Sequence, residues 1–329
     1  MARVTVPPDT QPGQRIPAHF WSDPARESDQ TMAQAMRLAT LEFAAHVSFM
    51  PDLHLGFGSC SGTVFASQDV IVPYGVGNDI GCGMIAGLTN LSLAQCPRER
   101  LQLALQTTLR TVPSDGSRGQ GNFATDQSGA DWTDIDLLPE HAAQAASNAG
   151  TRISRALEKP LDGLTRAVQT ARRQLGTLGS GNHFLEYQAD QLDRVWLMIH
   201  SGSRGLGGAV CTFYDQLAAL ITEQWYSTAG RKKNDLAFLP VDSPAGQAYL
   251  IAMTTCLHFA HQNRAAMLTT GLLALDADLV GEAINVHHNL ASLEHHLGRN
   301  LWVHRKGATR ARAGELVAIP GSMETGSYI

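Results

Sequence analysis

Apolar side chains recur at the spacing of an amphipathic helix in several stretches of the chain. The clearest example covers residues 29–49, where the apolar positions are Met32, Met36, Leu38, Leu41 and Phe43. This spacing places one face of a helix against a core, so we predict a helix there. Similar patterns predict helices over residues 91–111, 142–175 with an interruption at Pro160, 209–227 and 245–275.

Short β-type runs separated by glycine-rich turns fill much of the remaining sequence. Residues 51–84 combine frequent glycines with the apolar run 70–72, which predicts strands joined by tight loops. Residues 195–199 are continuously apolar, as expected of a fully buried strand. Further short strands are expected at residues 284–286, 301–303 and 316–319.

The order of these elements indicates the fold class. Strands and helices are mixed without a regular alternation of strand and helix, which argues against a doubly wound parallel sheet. We therefore predict one α+β domain over residues 1–329, with mixed β-sheets flanked by helices. The stretch 113–132 is rich in Gly, Ser, Asp and Gln and is expected to form a long surface loop.

Composition excludes several classes of protein. Of 329 residues, 43% are hydrophobic and 17% charged, which is typical of a folded chain rather than a disordered one. No apolar run approaches the roughly 18 residues of a membrane span, and residues 1–8 lack the apolar core of a signal peptide. Five widely spaced cysteines indicate a reducing compartment, so we expect a cytoplasmic protein. The net charge of -5 gives no overall attraction for polyanions.

The chain contains 13 histidines, and several of them lie in glycine-rich turns together with other metal-competent residues. In the turn over residues 75–84, Asp79 and Cys82 are three positions apart, with glycines on both sides of the cysteine. A thiolate beside a carboxylate is unfavourable unless a cation lies between them. Taken alone, this turn fits a structural turn with an inert buried cysteine equally well.

Three further turns each contain a histidine: His183, His200, which follows the predicted strand 195–199, and His288. A single histidine at a strand end is more often structural than a ligand, but three of them together with Asp79 and Cys82 favour a metal site. This donor set is too rich in nitrogen for Ca²⁺ or Mg²⁺. A cysteine shared by two Mn²⁺, Co²⁺ or Zn²⁺ ions would suit a two-metal phosphoryl-transfer site.

A compact basic stretch lies near the end of the chain. Residues 299–312 contain five Arg or Lys and no acid, and another basic run covers residues 231–233. Arg305 and Lys306 fit phosphate binding and a solvated loop equally well. For residues 231–233 a solvated loop is the better interpretation.

Several of these segments resemble the RtcB-type RNA-splicing ligases. The matching segments occur in the family's order and extend from about residue 50 to the end of the chain, at residues 51–56, 77–84, 179–184, 200–205, 288–289, 304–308 and 319–323. The resemblance implies a ligase that joins an RNA 3′-phosphate or 2′,3′-cyclic phosphate end to a 5′-hydroxyl end. In the family GTP guanylylates a histidine, GMP passes to the RNA 3′-phosphate, and the 5′-hydroxyl then displaces GMP. Two Mn²⁺ ions assist, and some members use an activator called archease.

The resemblance also implies roles for individual residues. Cys82 would bridge the two ions, with Asp79 and His183 completing one site and His200 and His288 the other. A second set would bind the nucleotide: Asn182 at a phosphate, and Glu186 and Ser322 near the guanine.

One departure from the family is serious. The family's chain continues to a His-Gly-Ala-Gly-Arg motif whose histidine accepts GMP, and no such motif occurs in these 329 residues. We therefore expect an RNA ligase that is incomplete at its C-terminal end and lacks the guanylylated histidine. Two alternatives remain: a non-catalytic paralogue that binds metal and RNA ends, and a dinuclear metal phosphodiesterase. Glu324, where the family usually has glycine, and Asn78, where valine is commoner, are smaller departures.

Overall fold

Three β-sheets and their flanking helices make up the fold, as predicted for the α+β class. A computed structural model describes residues 3–112, 132–225, 236–321 and 325–329. The strands in these ranges are β1 (Val4–Val6), β2 (Ala18–Phe20), β3 (Ala44–His54), β4 (Ser61–Ser67), β5 (Val70–Ile71), β6 (Gly83–Ser92), β7 (Phe184–Ala189), β8 (Arg194–Ser201), β9 (Leu239–Pro240), β10 (Ile284–His287), β11 (Asn289–His296) and β12 (Arg299–Lys306).

Helices account for most of the middle of the chain. In order they are α1 (Asp29–Leu38), α2 (Pro73–Val76), α3 (Arg98–Thr111), α4 (Thr133–Asp136), α5 (Leu138–Ala149), α6 (Thr151–Ala156), α7 (Glu158–Gln174), α8 (Arg204–Gln224) and α9 (Pro244–Leu275). Two 3₁₀ turns lie at Pro24–Arg26 and Leu93–Gln95.

The strands pair into a large sheet, a medium sheet and a small one. The six-stranded sheet has the order β1-β2-β3-β4-β12-β11, with β2 and β3 parallel and the other pairs antiparallel. The four-stranded sheet, β10-β6-β8-β7, is antiparallel throughout. Strands β5 and β9 form a separate pair. The four-stranded sheet is the one that positions the histidines discussed below.

Helix α9 packs against β6, β8 and β10 of the four-stranded sheet and also against α8. The Ser243 hydroxyl caps its first turn by accepting from the Gly246 N–H at 3.0 Å, and Pro244 occupies the first helical position. Seventeen of its residues are buried, on more than one face, as expected of a helix that runs through a core. Among the described residues, no helix is both long and apolar enough to cross a membrane.

The helix predicted over residues 29–49 is correct only in its first half. Helix α1 ends at Leu38, and residues 44–49 belong to strand β3. On one side, Val47 of β3 pairs with Phe65 of β4, and on the other it pairs with Ala18 of β2. Partners on both sides satisfy the backbone and bury Val47 completely, so tertiary pairing overrides the helical spacing.

The helical region 142–175 is broken at different positions from the one predicted. The breaks fall at Gly150, which has a φ of 121°, and at Leu157. Pro160 lies in the first turn of α7, where its missing N–H leaves no hydrogen bond unmade. Residues 91–97 also differ from the prediction, because they continue β6 and form a 3₁₀ turn before α3 begins.

Three strand assignments differ from the prediction. The strand expected at residues 316–319 is reduced to an isolated bridge between Ile319 and Tyr328. Strands β7 and β11 had no counterpart in the prediction because both are rich in polar residues. The predicted strand 195–199 and the helices near 209–227 and 245–275 are confirmed as β8, α8 and α9. The predicted surface loop 113–132 lies, apart from Trp132, outside the described residues.

Asp215 is a carboxylate placed inside the helical core. Its Oδ1 atom is buried and has no hydrogen-bond partner among the described residues. Burial raises the pKa of this carboxyl from 3.8 to about 7. The folded state therefore retains the proton between about pH 4 and pH 7, where the unfolded chain has lost it, so the free energy of unfolding falls as pH rises through that window.

We expect the substitution Asp215→Asn to remove this pH dependence and to raise the free energy of unfolding at pH 8 by ~1–3 kcal/mol. Urea unfolding at pH 5 and pH 8 measures both quantities. The matched control is Asp162→Asn, at an exposed position of α7. An equal fall in stability from pH 5 to pH 8 in wild type and Asp215→Asn would contradict the expectation.

Candidate metal centre

Four strand ends meet at one edge of the four-stranded sheet. Strands β6 and β7 begin there, and strands β8 and β10 end there, because neighbours in an antiparallel sheet run in opposite directions. The register is explicit: Gly83 pairs with both Ser201 and His287, and His200 pairs with Met84 and Phe184. The residues at or next to these ends are Cys82, His183, His200 and His288.

These side chains and Asp79 form a compact cluster. The Cys82 Sγ atom lies 3.2 Å from His200 Nε2 and 3.4 Å from His183 Nε2. His200 Nε2 is 2.9 Å from His288 Nε2, and His183 Nε2 is 2.9 Å from Asp79 Oδ2. The cluster contains two groups that could each hold a metal ion, Asp79-Cys82-His183 and Cys82-His200-His288, with ligand atoms within 4.8 Å of one another in each group.

Backbone carbonyls set the orientation of two of the imidazoles. His183 Nδ1 lies 2.8 Å from the Leu178 carbonyl, and His200 Nδ1 lies 2.9 Å from the Asn182 carbonyl. A carbonyl can only accept, so Nδ1 carries the proton in both rings and donates it. In the neutral rings Nε2 then carries a lone pair, which faces Cys82. Histidines that bind a metal ion through one ring nitrogen commonly donate from the other nitrogen in this way.

The cluster brings together several atoms that can share a proton or bind a cation. His183 Nε2 and Asp79 Oδ2, 2.9 Å apart, need a proton or a cation between them. His288 Nδ1 is buried and has no hydrogen-bond partner among the described residues. Thiolate, imidazole and carboxylate are ligands shared by Mn²⁺, Co²⁺ and Zn²⁺, so the residues present fit a pair of divalent ions.

The surroundings shift the pKa values of the cluster. Burial lowers the pKa of His200 to about 4 and that of His288 to about 3, so both imidazoles are neutral near pH 7. Burial also works to raise the pKa of the Asp79 carboxyl, but the interaction with His183 Nε2, 2.9 Å away, outweighs it and holds that pKa below its usual range. Burial and the Asp79 charge raise the pKa of the Cys82 thiol, a shift that a bound cation would oppose.

The position of the Asp79 carboxylate depends on a glycine. A Cβ on Gly202 would lie 2.5 Å from Asp79 Cγ, closer than any real side chain allows. The Ser203 N–H donates to Asp79 Oδ1 at 3.1 Å, and the Asn289 side chain donates to the Asp79 carbonyl at 3.0 Å. These contacts therefore fix both the side chain and the backbone of Asp79.

Comparison with known proteins decides which family carries this arrangement. The model of the family described as tRNA-splicing ligase RtcB matches residues 34–329. The chain belongs to the RtcB family.

Relatives in the RtcB family cover most of the chain. The RNA-splicing ligase RtcB of Escherichia coli K12 is 32% identical over 334 residues, which cover 96% of this chain and 77% of the relative. The tRNA-splicing ligase RtcB of Aeropyrum pernix is 33% identical, covering 98% of this chain and 78% of the relative. The RNA-splicing ligase RtcB of Mycobacterium tuberculosis is 34% identical, covering 90% and 78%.

Two of the three residues expected to bind a nucleotide, Asn182 and Glu186, lie beside or on strand β7, which begins next to the metal cluster. Asn182 is exposed in the turn directly before His183, and Glu186 is half-buried on β7. Glu186 accepts a short hydrogen bond from Gln188, whose side-chain nitrogen also lies 3.0 Å from the Ser327 hydroxyl. The segment that contains Ser327 is thereby attached to β7. Ser322, and Glu324 near it, lie outside the described residues.

The basic stretch near the end of the chain has a structural role. Arg305 is buried and forms a bidentate ion pair with Glu294. Lys306 donates to the carbonyls of Phe57 and Ser59 at 2.7 and 2.6 Å. These contacts favour stabilisation of the fold over phosphate binding for both side chains. Residues 231–233, the other basic run, are outside the described residues.

Sequence analysis missed three residues around the cluster: Gly202, Asn263 and Arg264. Arg264 is fully buried, and a signal for it was present, because it is the only Asp, Glu, Lys or Arg in the 32 residues of α9. Gly202 lies within the segment 200–205, but its contact with Asp79 brings together residues that are 123 positions apart, and spacing along the sequence cannot show such a contact.

We expect Cys82→Ala to abolish binding of both ions, because the sulfur belongs to both candidate groups. Elemental analysis of the purified protein after dialysis against Mn²⁺ measures the ratio of metal to protein. The matched control is Cys96→Ala, another buried cysteine, which packs against Val195 and Leu275 away from the cluster. Retention of one ion per chain in Cys82→Ala would show that the sulfur does not bridge.

We expect Gly202→Ala to weaken the binding of an ion by the Asp79-Cys82-His183 group, because the new methyl group displaces the Asp79 carboxylate. About a tenfold or larger fall in Mn²⁺ affinity is expected for one of the two sites by equilibrium dialysis. Gly208→Ala in α8 is the control, since its Cβ would meet its nearest neighbour, the Asn78 carbonyl, at 3.9 Å. Equal affinities in the two variants would contradict the role given to Gly202.

Proposed function

We propose that this chain is an RNA ligase that joins RNA 3′-phosphate or 2′,3′-cyclic phosphate ends to 5′-hydroxyl ends, with GTP and two Mn²⁺ ions. The supporting observation is the convergence of three imidazoles, a carboxylate and one shared thiol in a chain of the RtcB family. The relatives named above are RNA-splicing and tRNA-splicing ligases, which supports RNA as the substrate.

Each of the two ligand groups is proposed to hold one metal ion. Asp79, Cys82 and His183 would hold one ion, and Cys82, His200 and His288 the other. Bound divalent ions neutralise phosphate oxygens and favour in-line displacement at phosphorus. The protein supplies rigidity, because carbonyl contacts fix His183 and His200 before any ion binds.

Nucleotide binding is assigned to residues beside the metal cluster. The Asn182 side chain is exposed and is proposed to donate an amide N–H to a nucleotide phosphate, while the backbone carbonyl of the same residue accepts from His200. The Glu186 carboxylate can accept from the N–H groups of a guanine base, and Gln188 holds it in place. Ser322 is proposed to lie near the same base.

Partners and location follow from the same proposal. The substrate is RNA with 3′-phosphate and 5′-hydroxyl ends, and an archease-type activator is a proposed partner. All five cysteines are unpaired, which suits a reducing compartment such as the cytoplasm.

The step that needs a guanylylated histidine is proposed to be missing from these 329 residues, which contain no His-Gly-Ala-Gly-Arg motif. We expect no covalent label when this chain is incubated with Mn²⁺ and GTP radiolabelled at the α-phosphate. Denaturing electrophoresis measures the adduct, with an RtcB that carries the motif as the positive control. A stable adduct on this chain would show that one of its own histidines accepts GMP.

The sealing step can be tested without that histidine. We expect the chain to join an RNA whose 3′-phosphate already carries GMP to a 5′-hydroxyl strand, with Mn²⁺ and no GTP. The 5′-hydroxyl oxygen forms the new bond to the 3′-phosphorus, GMP leaves with the electrons of the broken P–O bond, and the hydroxyl proton passes to solvent. Gel electrophoresis of end-labelled RNA measures the joined product, which Cys82→Ala should fail to form.

The same gel separates the alternative functions. Retarded mobility of the RNA ends in a native gel, without any joined product, would favour a non-catalytic paralogue. Shortened RNA, formed without nucleotide, would favour a metal phosphodiesterase.

A further inference from the structure

Arg264 is a buried charge that the proposed ligation chemistry leaves without a role. It lies in the middle of helix α9, and its side chain is completely excluded from solvent. A buried guanidinium is unfavourable unless its N–H groups are matched by acceptors. The partners of Arg264 therefore indicate what this residue does for the protein.

All the partners of Arg264 lie in segments that meet at the metal cluster. Nη1 donates to the carbonyls of Gly81 at 2.8 Å and Ser201 at 2.9 Å. Nε donates to Asn285 Oδ1 at 2.8 Å, and Nη2 lies 3.1 Å from the His287 ring, whose Nδ1 atom donates to the Gly81 carbonyl at 2.9 Å. One planar side chain therefore contacts β10, the end of β8 and the turn before β6 at the same time.

Three of these contacts are one residue away from a candidate ligand. Gly81 precedes Cys82, Ser201 follows His200, and His287 precedes His288. These are the three members of the Cys82-His200-His288 group. The fork of a guanidinium can reach several carbonyls in one plane, which the single ammonium of lysine cannot do.

The neighbouring residue, Asn263, contacts segments that lead to the other candidate group, Asp79-Cys82-His183. Its side-chain oxygen accepts from the Thr177 N–H at 3.1 Å. Its side-chain nitrogen lies 3.1 Å from the carbonyls of Thr177 and Gly202 and 3.2 Å from the Ser201 hydroxyl. Asn263 is also fully buried, so these contacts are sheltered from water.

The segments that Asn263 contacts position His183 and Asp79. The Leu178 carbonyl, one residue after Thr177, accepts from both His183 Nδ1 and the Ser201 hydroxyl. Gly202, whose carbonyl Asn263 contacts, is the residue packed against the Asp79 carboxylate. Asn263 therefore holds in place the segments that position the Asp79 and His183 side chains of this group.

We propose that Asn263 and Arg264 are positioning residues that hold the two halves of the metal centre in place, Arg264 for the Cys82-His200-His288 group and Asn263 for the Asp79-Cys82-His183 group. The inference rests on the metal binding proposed above. It assigns to the core helix α9 a function in addition to packing, which is to connect four chain segments from distant parts of the sequence at one point.

The test measures Mn²⁺ affinity by equilibrium dialysis and, separately, the unfolding midpoint of the metal-free protein. We expect Arg264→Lys and Asn263→Asp each to lower Mn²⁺ affinity about ten- to hundredfold, as other outer-shell changes do. Thr270→Val, a buried position of the same helix whose hydroxyl bonds only within α9, is the control and should keep wild-type affinity. Folded variants with wild-type affinity would overturn the proposal.

A milder pair of variants covers the case in which Arg264→Lys does not fold. Asn285→Ala removes the acceptor of Arg264 Nε and leaves the buried charge in place, so Mn²⁺ affinity should fall. Asn285→Asp retains an acceptor oxygen and should restore most of the affinity. Equal affinity in the alanine variant and wild type would overturn the proposal, as would a lowered unfolding midpoint with unchanged metal affinity. A wild-type chain that binds no Mn²⁺ would instead refute the metal centre itself, before any variant is compared.

Discussion

Several cation-binding side chains are held close together at one point of this fold. Cys82 Sγ lies within hydrogen-bonding distance of the Nε2 atoms of His183 and His200, and His183 Nε2 lies 2.9 Å from Asp79 Oδ2. Such an arrangement is stabilised by protons or cations between these atoms and by a scaffold that resists their separation. The fold supplies that scaffold, and the chemistry of the donors indicates divalent cations.

The scaffold is built from two features of ordinary protein architecture. An antiparallel sheet brings the starts of two strands and the ends of two others to a single edge, where their terminal residues become neighbours. A long buried helix, α9, packs against the same sheet, and its polar side chains donate to the backbone carbonyls of Gly81, Ser201 and Gly202. Because the support comes through backbone carbonyls and N–H groups, it constrains the position of each ligand without occupying the ligand's own metal-binding atom.

Membership of the RtcB family and the local geometry support each other at the level of residues. The family's matched region includes every segment that contributes to the cluster. The same edge of the sheet also carries the exposed Asn182 and the Glu186-Gln188 pair, to which the segment near the end of the chain is attached through Ser327. A phosphate bound at the metal centre would therefore lie beside the exposed polar side chain of Asn182, as the proposed function requires.

Local patterns along the chain were enough to predict the α+β class, the buried strand β8, the long helices α8 and α9 and the residue types that form the cluster, because each of these is a local signal of periodicity or composition. Other features depend on long-range packing. The tertiary structure converted residues 44–49 from predicted helix to strand, assigned Arg305 and Lys306 to ion pairing and carbonyl contacts, and placed Arg264 at the junction of three ligand segments. These outcomes depend on hydrogen bonds between residues that are far apart along the chain, and such bonds leave no periodic pattern in the sequence.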